Sequence, residues 1–122
     1  MKPRAALLAG LLALGPLTAG AACPAAGPPQ VNWRSEPAKI AVGQPFSLVL
    51  SLCPTRAKLL ALDATMPEHR HGMNYRPTLV ALGGGRWRAD GLLWHMSGRW
   101  ELRFDLSLDE QPQTLRYSVT LP

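Results

Sequence analysis

Cysteine is scarce in this chain, with only Cys23 and Cys53 among 122 residues. Two distant thiols build neither a tetrathiolate zinc site nor a redox C-x-x-C pair. Charge is sparse too, at 17% of residues, which excludes a highly charged disordered chain. No apolar run is long enough to cross a bilayer comfortably. Catalytic signatures are missing: there is no G-x-S-x-G, no H-E-x-x-H and no phosphate loop. The length leaves no room for a second domain, so a large enzyme with its own cofactor domain is excluded. No segment shows a helical period of apolar residues, and there is no internal repeat or low-complexity tail.

What is present begins with turn formers. Twelve prolines and 11 glycines favour many short elements over long helices, in a chain that is 47% hydrophobic. The N-terminus reads as an export signal over residues 1–22. Lys2 and Arg4 precede an apolar stretch from Ala5 to Leu14, Gly15-Pro16 breaks it, and Ala19-Gly20-Ala21 fits an A-x-A cleavage site. Without Lys2 and Arg4 the formal charge of +5 falls to about +3, too mild to argue for nucleic acid. Export to an oxidising compartment makes a Cys23–Cys53 disulfide the first reading. A rival reading makes Cys23 a lipidated first residue, which would anchor the protein in a membrane.

Past a lead-in over 23–34, stiffened by Pro24, Pro28 and Pro29, strand patterns dominate. Short strands are expected at Val31–Arg34 and Lys39–Val42. Phe46, Leu48, Leu50 and Leu52 share one face of the next. Leu60, Leu62, Ala64 and Met66 repeat the pattern, and Thr78–Leu82 follows. A Gly83-Gly84-Gly85 turn leads into a strand from Arg86 expected to continue to Met96. From Arg99 to Leu108 the alternation is unbroken, with Trp100, Leu102, Phe104, Leu106 and Leu108 on one side. Leu115, Tyr117, Val119 and Leu121 alternate again. About seven one-sided strands in some hundred residues predict an all-β antiparallel sandwich over residues 35–122.

One segment breaks the alternation. Residues 66–77 read as a loop, Met66-Pro67-Glu68-His69-Arg70-His71-Gly72-Met73-Asn74-Tyr75-Arg76-Pro77, holding two of the three histidines. His69, His71 and Met73 are spaced by two, so an extended backbone would put them on one face, with Gly72 allowing a bend around an ion. His95-Met96 holds the third histidine. If the strands alternate up and down, loop 67–77 and His95 finish at the same end of the sandwich. Imidazole suits Cu(II), Zn and Ni, whereas thioether selects Cu(I), so a mixed set points to copper before zinc. The candidate metal ligands are His69, His71, Met73 and His95. Met66, on the inward face of its strand, reads as core.

At Met66-Pro67-Glu68-His69-Arg70-His71-Gly72-Met73 and at Gly91-Leu92-Leu93-Trp94-His95-Met96-Ser97-Gly98-Arg99-Trp100-Glu101-Leu102 the sequence resembles the YtkA-like domain family, over roughly residues 35–121. The resemblance implies an immunoglobulin-like sandwich in the bacterial envelope, related to the FixH type that is linked to copper supply. Arg70 stands where the resemblance leads one to expect glycine between the histidines. The resulting expectation is a non-enzymatic periplasmic module that carries or buffers copper and hands it to an envelope protein. The alternative is a metal-free interaction domain whose Arg70/Arg76 loop meets an acidic envelope partner.

Overall fold

Strands with one apolar face must pair those faces, and here they do so as two four-stranded antiparallel sheets. The computed structural model describes residues 23–122, and the expected signal peptide at 1–22 lies outside the described residues. The strands are β1 (Gln30–Glu36), β2 (Phe46–Cys53), β3 (Lys58–Met66), β4 (His71–Gly72), β5 (Thr78–Gly83), β6 (Arg86–Leu92), β7 (Gly98–Leu108) and β8 (Gln111–Leu121). One sheet has the order β1-β2-β6-β5 and the other β4-β3-β7-β8. The all-β sandwich read from the alternation is the fold, with eight strands among the described residues. One short strand expected from the sequence is absent, and β4, a two-residue strand, is added.

The core forms where the inward faces meet. Phe46, Leu48, Leu50 and Leu52 of β2 are buried against Trp100, Leu102, Phe104 and Leu106 of β7, with Leu62, Ala64 and Met66 of β3 beside them. Each large apolar side chain so buried contributes about 1.5–3 kcal/mol. No charged or polar residue is buried among the described residues. The floor at one end is aromatic: Trp94 stacks on Trp100 with centroids 5.1 Å apart, and Phe46 meets Trp94 edge-on at 5.1 Å.

Four sequence expectations need correction. Lys39–Val42 is not a strand but part of a turn, in which Gln44 donates its amide to Ala41 O and Gly43 to Trp94 O. Flanking Pro37 and Pro45 have no amide hydrogen to give a ladder. Leu60 is 58% exposed, because a register shift between Leu59 and Ala61 puts Leu59 inside instead. The strand from Arg86 stops at Leu92, four residues short of Met96, since residues 93–97 leave one sheet to enter the other at Gly98. Finally, the short strand expected at Val31–Arg34 is longer: β1 is an edge strand paired from Gln30↔Cys53 to Glu36↔Ser47.

A Cys23–Cys53 disulfide, with Cα atoms 5.3 Å apart, ties the lead-in to the end of β2. It sits at the pole that also holds the Gly83–Gly85 turn and the β7–β8 turn at Asp109-Glu110. There Leu52 donates its amide to Gly85 O. Gly85 has φ +77, and a Cβ on it would lie 2.7 Å from Thr55 Cα, so only glycine fits.

Candidate functional site

The opposite pole is formed by the end of β3, β4, the end of β6 and the crossover into β7. Two pieces of local structure build it. The first is a hairpin. His69 donates its amide to Met66 O, and residues 67–70 form the turn. Arg70 takes the left-handed conformation at φ 52. The chain then re-enters the sheet with His71 opposite Met66 and Gly72 opposite Thr65. Opposite residues of an antiparallel pair share a face. Met66 points into the core at 1% exposure, so His71 lies on the inner side of the sheet, at its rim. Met73 continues the line, donates its amide to Ala64 O and packs half-buried against the core.

The second piece is the crossover over residues 93–97. Trp94 turns fully inward, His95 turns outward, and Met96 packs against the core while its carbonyl accepts the Trp100 Nε1 hydrogen at 3.0 Å. Gly98, at φ +119, admits Met66 Cε, which would lie 2.9 Å from a Cβ there.

These two segments bring the three histidines together. The ring centroids of His71 and His95 are 5.2 Å apart, and those of His69 and His71 are 5.8 Å apart. Trp100 lies beneath them, its centroid 6.1 Å from that of His71 and 5.7 Å from that of His95, edge-on in both cases. Two imidazoles bound to one ion through nitrogen at about 2.0 Å have centroids roughly 5–6 Å apart. The His71 and His95 centroids, 5.2 Å apart, fall in that range. Among the described residues, however, no group of three or more His, Cys, Asp or Glu side chains is arranged to hold a metal. His71 and His95 therefore make a pair that needs a donor of another kind, and the thioethers of Met73 and Met96 are the soft donors at this end.

The polar accounting singles out His71. Its Nδ1 is buried and has no hydrogen-bond partner. A buried unpaired ring nitrogen costs about 1–3 kcal/mol unless something fills its lone pair or takes its proton. Among the described residues, Trp94 Nε1 is the other side-chain atom in this condition, also at this pole. The carboxylate of the loop is otherwise engaged: Arg99 donates to Glu68 at 2.7 Å and to Ser118 Oγ at 3.1 Å. The Arg99 guanidinium, followed by backbone hydrogen bonding, holds the Glu68 carboxyl below the usual carboxylate range.

The placement of the loop residues departs from the sequence reading in two respects. The bend lies at Arg70, with its positive φ, and not at Gly72, which is a strand residue. A regular extended run from His69 to Met73 does not exist. His69 belongs to the turn, so it approaches His71 by the turn's curvature, whereas His71 and Met73 follow the strand spacing. Sequence reasoning did not assign Trp100 or the Arg99–Glu68 pair to the site. The available signal for Trp100 was its place at the start of the unbroken alternation, five residues after His95.

Comparison with known proteins adds no relative. No protein-family model matches the chain, and no curated protein or solved structure gives a match.

Proposed function

We propose that this protein is an exported, non-enzymatic module that binds a copper ion at the His71/His95 pole, as a carrier or buffer, and passes it to an envelope protein. The observation that carries the reading is the convergence of two imidazoles from separate segments at 5.2 Å, one of them with a buried nitrogen that has no partner. Copper is favoured over zinc because no third imidazole, thiolate or carboxylate is arranged with the pair among the described residues, which leaves the thioethers at this end. Of the other two expected ligands, Met73 is the thioether donor of this reading, and His69 stands beside His71 in the turn. The resemblance of residues 35–121 to the YtkA-like family agrees with this reading. The disulfide supports export to the periplasm over a lipid anchor, because a sulfur engaged in a disulfide cannot also carry a diacylglyceryl group.

The test is a calorimetric copper titration of residues 23–122 at neutral pH. About one ion per chain is expected, with His71→Ala weakening binding sharply. No copper binding ends the proposal. A second reading rests on Arg70 and Arg76, which are exposed and take part in none of the ion pairs formed among the described residues. In that reading the loop contacts an acidic envelope partner without metal. Arg70→Glu with Arg76→Glu then abolishes partner binding, and His71→Ala leaves it intact.

A further inference from the structure

We infer that the site selects monovalent copper over divalent copper, with Met73 as the thioether ligand beside His71 and His95. The inference rests on the copper reading and goes beyond it by assigning the oxidation state and the third donor.

Ligand number comes first. Divalent copper prefers a tetragonal set of nitrogen and oxygen donors. This pole cannot supply one, since no three His, Cys, Asp or Glu side chains are arranged around a common point among the described residues. The carboxylate that could have added a hard donor, Glu68, is held by Arg99 at 2.7 Å. What remains is a pair of imidazoles and soft sulfur, a set that thioether softness turns toward Cu(I).

Placement of the sulfur follows from the strand register. Met66 is fully committed to the core at 1% exposure. Met73 lies two residues beyond His71, shares its side of the sheet through the amide bond to Ala64 O, and is only half buried. By that register it is the thioether assigned here to the histidine pair.

Charge works in the same direction. The surroundings of the pair are apolar below, where Trp100 and Trp94 are both fully buried, and cationic above, where Arg70 is exposed in the hairpin turn. Bringing a divalent ion into such surroundings costs more than bringing a monovalent one, because the desolvation penalty rises steeply with charge and the carboxylate of the loop, Glu68, is already engaged by Arg99.

The experiment is a pair of anaerobic competition titrations on residues 23–122 with the disulfide intact. Cu(I) is supplied as its acetonitrile complex against bicinchoninate, so that no thiol reductant touches Cys23–Cys53, and Cu(II) is titrated against glycine. Cu(I) is expected to bind at least a hundredfold more tightly than Cu(II). In Met73→Leu, which conserves volume, that ratio is expected to fall at least tenfold through the loss of Cu(I) affinity alone, with unchanged thermal unfolding showing that the fold is intact. Equal affinities, tighter Cu(II), or an unchanged ratio in Met73→Leu overturns the inference while leaving copper binding standing. Binding of neither ion overturns the copper reading itself.

Discussion

The two poles of the sandwich hold their loops by different means. At the Cys23–Cys53 pole the loops are cross-linked. A disulfide joins the lead-in to β2, Arg56 grips Asp109 through two bonds of 2.9 and 2.8 Å, and a glycine turn packs backbone on backbone at Thr55. At the histidine pole the loops rest on packed indoles, and two buried ring nitrogens, His71 Nδ1 and Trp94 Nε1, lack partners. Among the described residues, the first pole leaves no buried side-chain nitrogen or oxygen without a partner. The second carries an unmet bonding capacity on a rigid floor, the condition in which a ligand gains most from side chains already in place.

Trp100 is the residue on which that contrast most depends. It is wholly buried, stacks on Trp94, and lies under both His71 and His95. Trp100→Ala is expected to cost about 3–5 kcal/mol and to abolish copper binding as well, because the floor and the site are one object. Urea unfolding with a parallel titration checks it. A variant that loses less than about 1 kcal/mol would mean the indole stack is not what supports the histidine pole.

The next largest effect separates the poles. Removing the bridge with Cys23→Ser and Cys53→Ser should cost roughly 3–4 kcal/mol by the chain-entropy argument for a loop of this size. Copper affinity should be unchanged, since the bridge is at the far end. A marked fall in affinity would show that the two ends are coupled.

Acid should act on both poles through the carboxylates. Arg56 holds the Asp109 carboxyl below its ordinary value at one pole, and Arg99 does the same to Glu68 at the other. On the outer face of the first sheet, Ser47 and then Arg88 depress Asp90, and Arg88 and Arg34 depress Glu36. A group whose folded pKa is depressed contributes stability above its unfolded value, lost as pH falls through the folded one. Stability should therefore hold down to the model-compound range of 3.8–4.5 and decline below it. These pairs are solvent-exposed, so the loss should be small and should shrink further in high salt. Thermal unfolding between pH 3 and 7, at about 0.05 and 0.5 M salt, measures it. A decline that begins near neutrality would implicate other groups.

Much of the frame was legible because it is periodic. Trp100 to Leu106 alternate inward without a break, and all four are buried. The parity of up and down strands was enough to bring His95 to the end that holds His69 and His71. What could not be read were local departures that depend on the partner strand. The shift that turns Leu60 outward is set by pairing with β7, and β4 exists only because Thr65 and Met66 leave an edge on which His71 and Gly72 can pair. The inward turn of Trp94, which ends β6 early, is a packing event between sheets. None of these leaves a mark in one strand's own period. The bond between Arg99 and Glu68, 31 residues apart, is likewise tertiary.

The smallest expected effect concerns the residue that the hairpin tolerates least. Arg70 holds φ 52, a conformation that costs an L-residue about 1–2 kcal/mol and glycine almost nothing. Glycine also adds freedom to the unfolded chain, which offsets part of that gain. Arg70→Gly should then change stability by no more than about 1 kcal/mol, in the stabilising direction. It also removes an exposed cation between His69 and His71, so copper affinity should rise by a few fold, more at low salt than at high. Arg70→Ala separates the two causes, because it removes the charge and keeps the backbone cost. If both variants bind copper more tightly by the same factor, charge alone set the affinity. A gain confined to glycine would trace it to the turn's geometry, and an unchanged affinity in both would place the ion beyond the reach of residue 70, toward His95 and Trp100.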